Sequence, residues 1–223
     1  LLTHFRAWWY YAGQVVAPVQ MVADYGAYPV SSSLLDPRVL YALAGWAIVG
    51  ALLVYAIRRA PSVAFLGLAY FIHLSPHSSF MPISEMVNEH RPYLPSTSLF
   101  LLGSVGLFLI VRKLARRPRL SFAVVVLTLA IPLAALSYER NKVWKDEMSF
   151  WSDIVRKDPE APRAQMNYGL VLMARGEYSD AEYRFREAAR LSPSYNLAHI
   201  NLAIDLAAQG YTDEARAEYD LAV

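Results

Sequence analysis

The feature that most constrains this chain is a change of pattern near Tyr138. Upstream, the sequence runs through four strongly apolar segments; downstream, residues recur at a spacing of 34. Trp151, Phe185 and Tyr219 keep that spacing, as do Ile154, Ala188 and Ala222. So do the pairs Pro159 and Pro193, Leu172 and Leu206, Gly176 and Gly210, and Ala181 and Ala215. A unit of this length, with a mid-unit Gly, small residues around an aromatic, and Pro at the break, reads as a helix–turn–helix. Such a unit cannot bury its apolar face alone and stacks against copies of itself. The expected fold class is therefore all-α: a polytopic helical membrane domain of about four transmembrane helices plus an interfacial helix, followed by an extracytoplasmic solenoid.

The Gly, Ala, aromatic, Ala and Pro offsets are those of the tetratricopeptide repeat (TPR). Expected boundaries are 1–138 for the membrane domain and 139–223 for the repeats, with a half-repeat over 144–159, a repeat over 162–195 and a partial one over 196–223. The partial unit implies a piece of a longer protein, because a solenoid needs a capping element at its end. Composition agrees with a mixed chain: 56% of residues are hydrophobic, which is high for a wholly soluble protein. A net charge of only +2 gives no electrostatic case for a nucleic-acid partner. With no cysteine, disulfides, thiolate catalysis and Cys-ligated metals are excluded.

A span needs roughly 20 apolar residues to cross about 30 Å of hydrocarbon. Segments 39–57, 94–111 and 120–137 satisfy this, and the short 62–74 is counted as a fourth span partly covered by its neighbours. Residues 1–24 mix Phe5, Trp8, Trp9, Tyr10 and Tyr11 with His4, Arg6 and Gln14. That mixture suits an interfacial helix at the membrane–water boundary, or alternatively the end of a further span. Arg58 and Arg59 follow the first span, and Arg112, Lys113, Arg116, Arg117 and Arg119 join the last two. By the positive-inside rule, loops 58–61 and 112–119 face the cytoplasm, so loop 75–93 and the repeats lie outside it.

Two sets of residues are candidates for binding. On the first helices of the repeats, Gln165, Met173, Asn196, His199 and Asn201 could clamp an extended peptide, the partner expected of such a surface. In loop 75–93, Glu85, Glu89, His90, Arg91 and Tyr93 gather polar groups beside hydrocarbon, where charge is costly unless paired or used. Arg91 could grip the phosphate of a lipid-linked sugar with its planar fork of donors; alternatively, Glu89 and Arg91 form an interfacial ion pair. His77 and His90, without a third ligand, make a poor metal site, so no metal is expected.

Glu89-His90-Arg91-Pro92-Tyr93-Leu94-Pro95-Ser96 resembles the (A/S)ER-x-L-Y-x-P-S segment of the transmembrane and tetratricopeptide-repeat O-mannosyltransferases, of the glycosyltransferase C superfamily. Arg140-Asn141-x-x-Trp144-x-x-Glu147-x-x-Phe150 is similar to that family's linker between last span and first repeat. Leu2-Thr3, Tyr10-Tyr11, Pro29-Val30 and Ser33-Leu34-Leu35-Asp36-x-Arg38 are similar to its stretch before the late spans. The resemblance implies an inverting transfer of a sugar to a hydroxyl of an exported protein, with the catalytic acid in a loop upstream of Leu1. High Ala and Arg usage reads as bacterial, so the implied donor is a polyprenyl-phosphate sugar and the implied location a bacterial inner membrane. A different class remains open: a non-catalytic membrane scaffold, or a subunit of a larger membrane complex, that uses its repeats for recruitment.

Overall fold

The computed structural model describes residues 2–18, 21–26, 28–78, 87 and 90–222. Among them are ten α-helices and no strand: α1 (Leu2–Val16), α2 (Pro37–Arg59), α3 (Pro61–Ser78), α4 (Tyr93–Leu114), α5 (Pro118–Asn141), α6 (Glu147–Lys157), α7 (Pro162–Ala174), α8 (Tyr178–Leu191), α9 (Asn196–Ala208) and α10 (Thr212–Ala222). The chain divides into two compact units. One is Leu1–Met21 with Pro29–Tyr138; the other is Val22–Tyr28 with Glu139–Val223.

In the first unit, α2, α4 and α5 are long and apolar enough to cross a membrane, which marks an integral membrane protein. The fourth expected span, α3, has 18 residues, and its apolar part ends at Ser75. At 1.5 Å per residue it reaches about 27 Å, slightly short of the roughly 30 Å hydrocarbon core. Arg58 and Arg59 close α2, and Arg112 and Lys113 close α4, where the negative end of each helix dipole favours cations. No described residue of α5 is buried, so its apolar surface is left for lipid or other spans.

α1 is shorter than the 24 residues expected, ending at Val16 just before Ala17-Pro18; a residue preceding proline is driven out of the helical region. Its aromatics pack on neighbouring helices. The Trp9 ring stacks on Trp46 of α2 at 4.2 Å, and Trp8 lies edge-on to Trp46 at 6.0 Å and tilted on Phe71 of α3 at 5.7 Å. Each such pair adds about 0.5–1.5 kcal/mol beyond the area it buries. The Trp9 indole donates to the Ala42 carbonyl at 3.0 Å, and the Trp46 indole to that of Phe5 at 2.8 Å. Gly45 makes room for this stack, since a Cβ there would sit 2.6 Å from the Trp9 ring.

The second unit is an array of helices in register with the sequence period. α9 begins 34 residues after α7, and α10 begins 34 after α8. Both first helices end in the same device: Gly176 and Gly210 adopt left-handed φ of +78° and +91°. The Gly176 amide then reaches Met173 O and the Glu177 amide Leu172 O, and in the second pair Gly210 reaches Ala207 O and Tyr211 reaches Leu206 O. These 5→2 and 6→1 bonds are a Schellman motif, which satisfies the last helical carbonyls. The first pair closes around Phe185, fully buried among Met166, Leu172, Ala181, Ala188 and Leu202. α6 opens on an Asp146 side chain that accepts from the Ser149 amide at 2.7 Å.

Among the described residues α6 has no first helix of its own, and residues 22–26 occupy part of its apolar face instead. Val22 and Ala23 are buried in one cluster with Ile154, Val155, Ala161 and Ala164, with Tyr25 packed at its edge. Asp24 pairs with Arg163 at 3.7 Å. Gly26 lets the backbones meet: a Cβ at this position would stand 2.7 Å from the Ala161 Cβ and 3.3 Å from its Cα. Gly26→Val is therefore expected to weaken the array by about 1–3 kcal/mol, the usual cost of overpacking. Denaturant unfolding followed by tryptophan fluorescence would measure it; an unchanged midpoint would show that this close approach is not needed.

Candidate functional site

In the membrane unit, the candidate site is the turn His90–Pro92 that leads into α4. The Tyr93 amide donates to the His90 carbonyl at 3.2 Å, and the Ser96 amide to that of Pro92 at 2.8 Å. Pro92 is buried and fixes the entry to the helix, while Pro95 and Ser98 are buried one turn on. Arg91 is half-buried, His90 is exposed, and the Tyr93 ring is 83% exposed at the first helical position. Glu85 and Glu89 lie outside the described residues, so their pairing with Arg91 is not part of this description.

The turn has a neighbour that sequence reasoning did not assign to it. α1 packs against α4, and burial, with a smaller push from the Arg91 guanidinium, holds the His4 imidazole below its ordinary pKa. Beside His4, Arg6 donates to the Pro29 carbonyl at 3.0 Å and to the Ser31 hydroxyl at 2.6 Å. The Ser31 amide donates to the buried Thr3 hydroxyl at 3.0 Å, and the Ser31 hydroxyl to the Asp36 carboxylate at 3.1 Å. Asp36 caps α2 by accepting from the Arg38 amide at 2.9 Å, which keeps its carboxyl below the usual range. The hydrogen bonds from Thr3 through Ser31 to Asp36 thus tie α1 to the start of α2.

Among the peptide-binding candidates, Gln165 and His199 are buried and engaged with their own chain. They stand at equivalent places: the Gln165 amide donates to the Pro159 carbonyl at 2.8 Å, and His199 Nε2 lies 3.3 Å from that of Pro193. Each also meets the next helix, Gln165 at Arg184 (3.3 Å) and His199 at Glu218 (2.8 Å). Met173 packs against the Phe185 core, Asn196 is exposed and Asn201 is half-buried. A cleft of about 320 Å³ opens between α6, α7 and α8, lined by Ser152, Arg156, Gln165, Tyr168, Tyr183 and Arg184 among others. Its key side chain, Arg184, was missed from sequence. The signal lay in the repeat itself, where a Gln–Arg couple stands in register with a His–Glu couple. Among the described residues, no group of three His, Asp or Glu is placed to hold a metal.

No protein-family model matches the chain. It is 29% identical over 202 residues, 87% of its length, to "Protein O-mannosyl-transferase F38B6.6" of Caenorhabditis elegans, of which it covers 28%. It is 25% identical over 84% of its length to "Protein O-mannosyl-transferase Tmtc3" of Drosophila melanogaster, covering 21% of it. To "Protein O-mannosyl-transferase TMTC3" of Mus musculus it is 25% identical over 92% of its length, covering 23%. The chain thus spans about a quarter of these relatives' length, and over nearly all of its own it is similar to TMTC-type protein O-mannosyl-transferases.

Proposed function

We propose that this chain is part of a membrane glycosyltransferase that moves a sugar from a polyprenyl-phosphate carrier to a hydroxyl of an exported protein. The observation that carries this reading is similarity over 87% and 92% of the chain to two proteins named protein O-mannosyl-transferases. In this reading the helix pairs of the second unit are TPR repeats that bind the polypeptide acceptor. Arg91, with His90 and Tyr93 at the head of α4 and Glu85 and Glu89 before it, binds the lipid phosphate and its sugar. Negative charge grows on that phosphate as the glycosidic bond breaks, so a fixed guanidinium there stabilises the transition state more than the ground state. The acid that activates the acceptor hydroxyl as general base belongs to another part of the protein.

The experiment is sugar transfer by the full-length protein with Arg91→Ala. At least a tenfold loss of transfer is expected with membrane insertion intact, in line with the loss of one oriented charged donor. Unchanged transfer would remove Arg91 from the site.

The same reading places loops 58–61 and 112–119 in the cytoplasm, and the repeats and loop 75–93 on the outer face of a bacterial inner membrane. Because the chain has no cysteine, single thiols report cleanly. Ser179→Cys is expected to react with a membrane-impermeant thiol reagent in intact cells, and Ala115→Cys only after lysis. The opposite pattern would put the helix array inside.

A further inference from the structure

We infer that the cleft between α6, α7 and α8 is a recognition pocket for a carboxylate of a bound polypeptide, with Arg184 as its anchor. The inference rests on the reading that the array holds a polypeptide acceptor, and it adds the chemistry of what is recognised. The Arg184 guanidinium lies over the rings of Tyr168 and Tyr183, 5.0 Å from each centroid. Both distances are within cation–π range, so the head group is held in one orientation. Its Nη1 donates to the Gln165 amide oxygen at 3.3 Å, and its buried Nε has no acceptor among the described residues.

Of the carboxylates on α6 and α8, Glu187 and Asp153 accept their hydrogen bonds from other cations, and Glu187 also feels the Arg184 charge. Glu187, which also lines the cleft, accepts from Arg190 Nε at 2.9 Å and Nη2 at 2.6 Å. Asp153 accepts from Arg140, Arg156 and Lys157 at 2.5, 2.5 and 2.8 Å. Arg184 is thus a partly buried cation whose one described side-chain hydrogen-bond partner is a neutral amide, an arrangement that costs stability unless something anionic completes it.

The second helix pair shows what completion looks like. At the positions 34 residues on, Gln165 becomes His199 and Arg184 becomes Glu218, joined at 2.8 Å. His199 keeps the link to the preceding Pro carbonyl, so the frame is the same in both pairs. The wall residue Tyr168 becomes Leu202, which is buried. One frame therefore holds a directly bonded couple in the second pair and, in the first, a cation beside an open cleft whose own hydrogen bond goes to a neutral amide. About 320 Å³ suits a single side chain with its adjoining backbone rather than a large ligand. Ser152 and the largely exposed Arg156 at the rim offer further donors, and the tyrosine rings a flat apolar wall.

The test uses the chain in detergent micelles and fluorescein-labelled eight-residue peptides followed by anisotropy. Peptides capped at both ends carry one central Glu or, as control, Gln. A third, without acidic residues, has a free C-terminal carboxylate. The Glu peptide is expected to bind at least about tenfold more tightly than the Gln peptide, and Arg184→Gln to erase that difference. Arg184-dependent binding of the third peptide would also support the pocket and assign the carboxylate to a chain end. Because Arg184→Gln could act by loosening the array, the charge swap Arg184→Glu is paired with a Lys peptide, whose binding should rise where the Glu peptide's falls. Equal binding of Glu and Gln peptides, or no response to either Arg184 change, overturns the pocket. Arg184-dependent binding by a full-length protein that transfers no sugar would keep the pocket and remove the glycosyltransferase reading.

Discussion

Phe185→Ala is expected to destabilise the helix array by about 3–5 kcal/mol, the range for deleting a fully buried aromatic ring. The ring has no exposed surface and touches both pairs through Met166, Leu172, Ala198 and Leu202. Its fit is tight on one side: a Cβ on Gly169 would lie 2.6 to 3.0 Å from three of its ring carbons. Gly169→Ala alone should therefore also destabilise, by about 1–3 kcal/mol, because a ring packed on both faces cannot retreat. The two changes share one contact and will not add. Gly169→Ala combined with Phe185→Leu should cost less than the sum of the singles, since the smaller side chain makes room for the methyl. Hydrogen exchange at α7–α9 amides reads the array directly, while exchange in α2 and α4 serves as internal control. Additive losses would mean that Gly169 is present for reasons other than the ring.

The second large effect concerns Asp153, a carboxylate with 4% exposure that binds three cations. Asp153→Ala is expected to cost about 3–5 kcal/mol, because it removes a buried carboxylate that pairs with Arg140, itself only 16% exposed. Little of that comes from Arg156, whose side chain is 73% exposed and screened by water. Burial alone would push the Asp153 carboxyl up, but the hydrogen bonds from Lys157, Arg156 and Arg140 outweigh it and hold it below its ordinary value. A carboxyl depressed in the folded state contributes stability that is complete above its unfolded pKa of about 4 and is lost as pH falls through the folded value.

Asp205 has the opposite sign. It is fully buried, Gln209 donates to one of its oxygens at 2.8 Å, and burial raises its carboxyl. Its ionisation therefore costs stability as pH rises through the folded value, and protonation relieves that cost. Unfolding midpoints of the array from pH 7 down to pH 3 should fall for the native chain and fall less for Asp153→Asn. An identical acid slope in both would show that Asp153 is not what couples the array to pH.

Much of the architecture is local and was legible before any coordinates. Span lengths, the basic residues that close α2 and α4, and the glycines that end α7 and α9 follow from apolar run length, charge and φ preference, which act over a few residues. The 34-residue spacing also names who must be buried: Phe185, Ala181 and Leu172 declare themselves by position alone. The candidate site was legible only in part, as an Arg-Pro-Tyr turn before a span. That α1 packs beside α4, close enough for His4 to feel the Arg91 charge, is recorded by no pattern near residue 91.

What the sequence by itself determined, then, is the set of helices, their ends and the faces that need covering. Only the tertiary structure decided what covers them. Nothing in Val22-Ala23-Asp24-Tyr25-Gly26 announces that it fills a face of α6 and α7, because small apolar residues fit many surfaces and the match is made by the shape of Ala161 and Ala164. The same holds for the Trp9–Trp46 stack over Gly45, for the Arg140–Asp153 pair, and for the Arg184 guanidinium between two tyrosines. Burial preference is a property of a residue and can be read along a chain; complementarity is a property of two surfaces, and it exists only once the fold has brought them together.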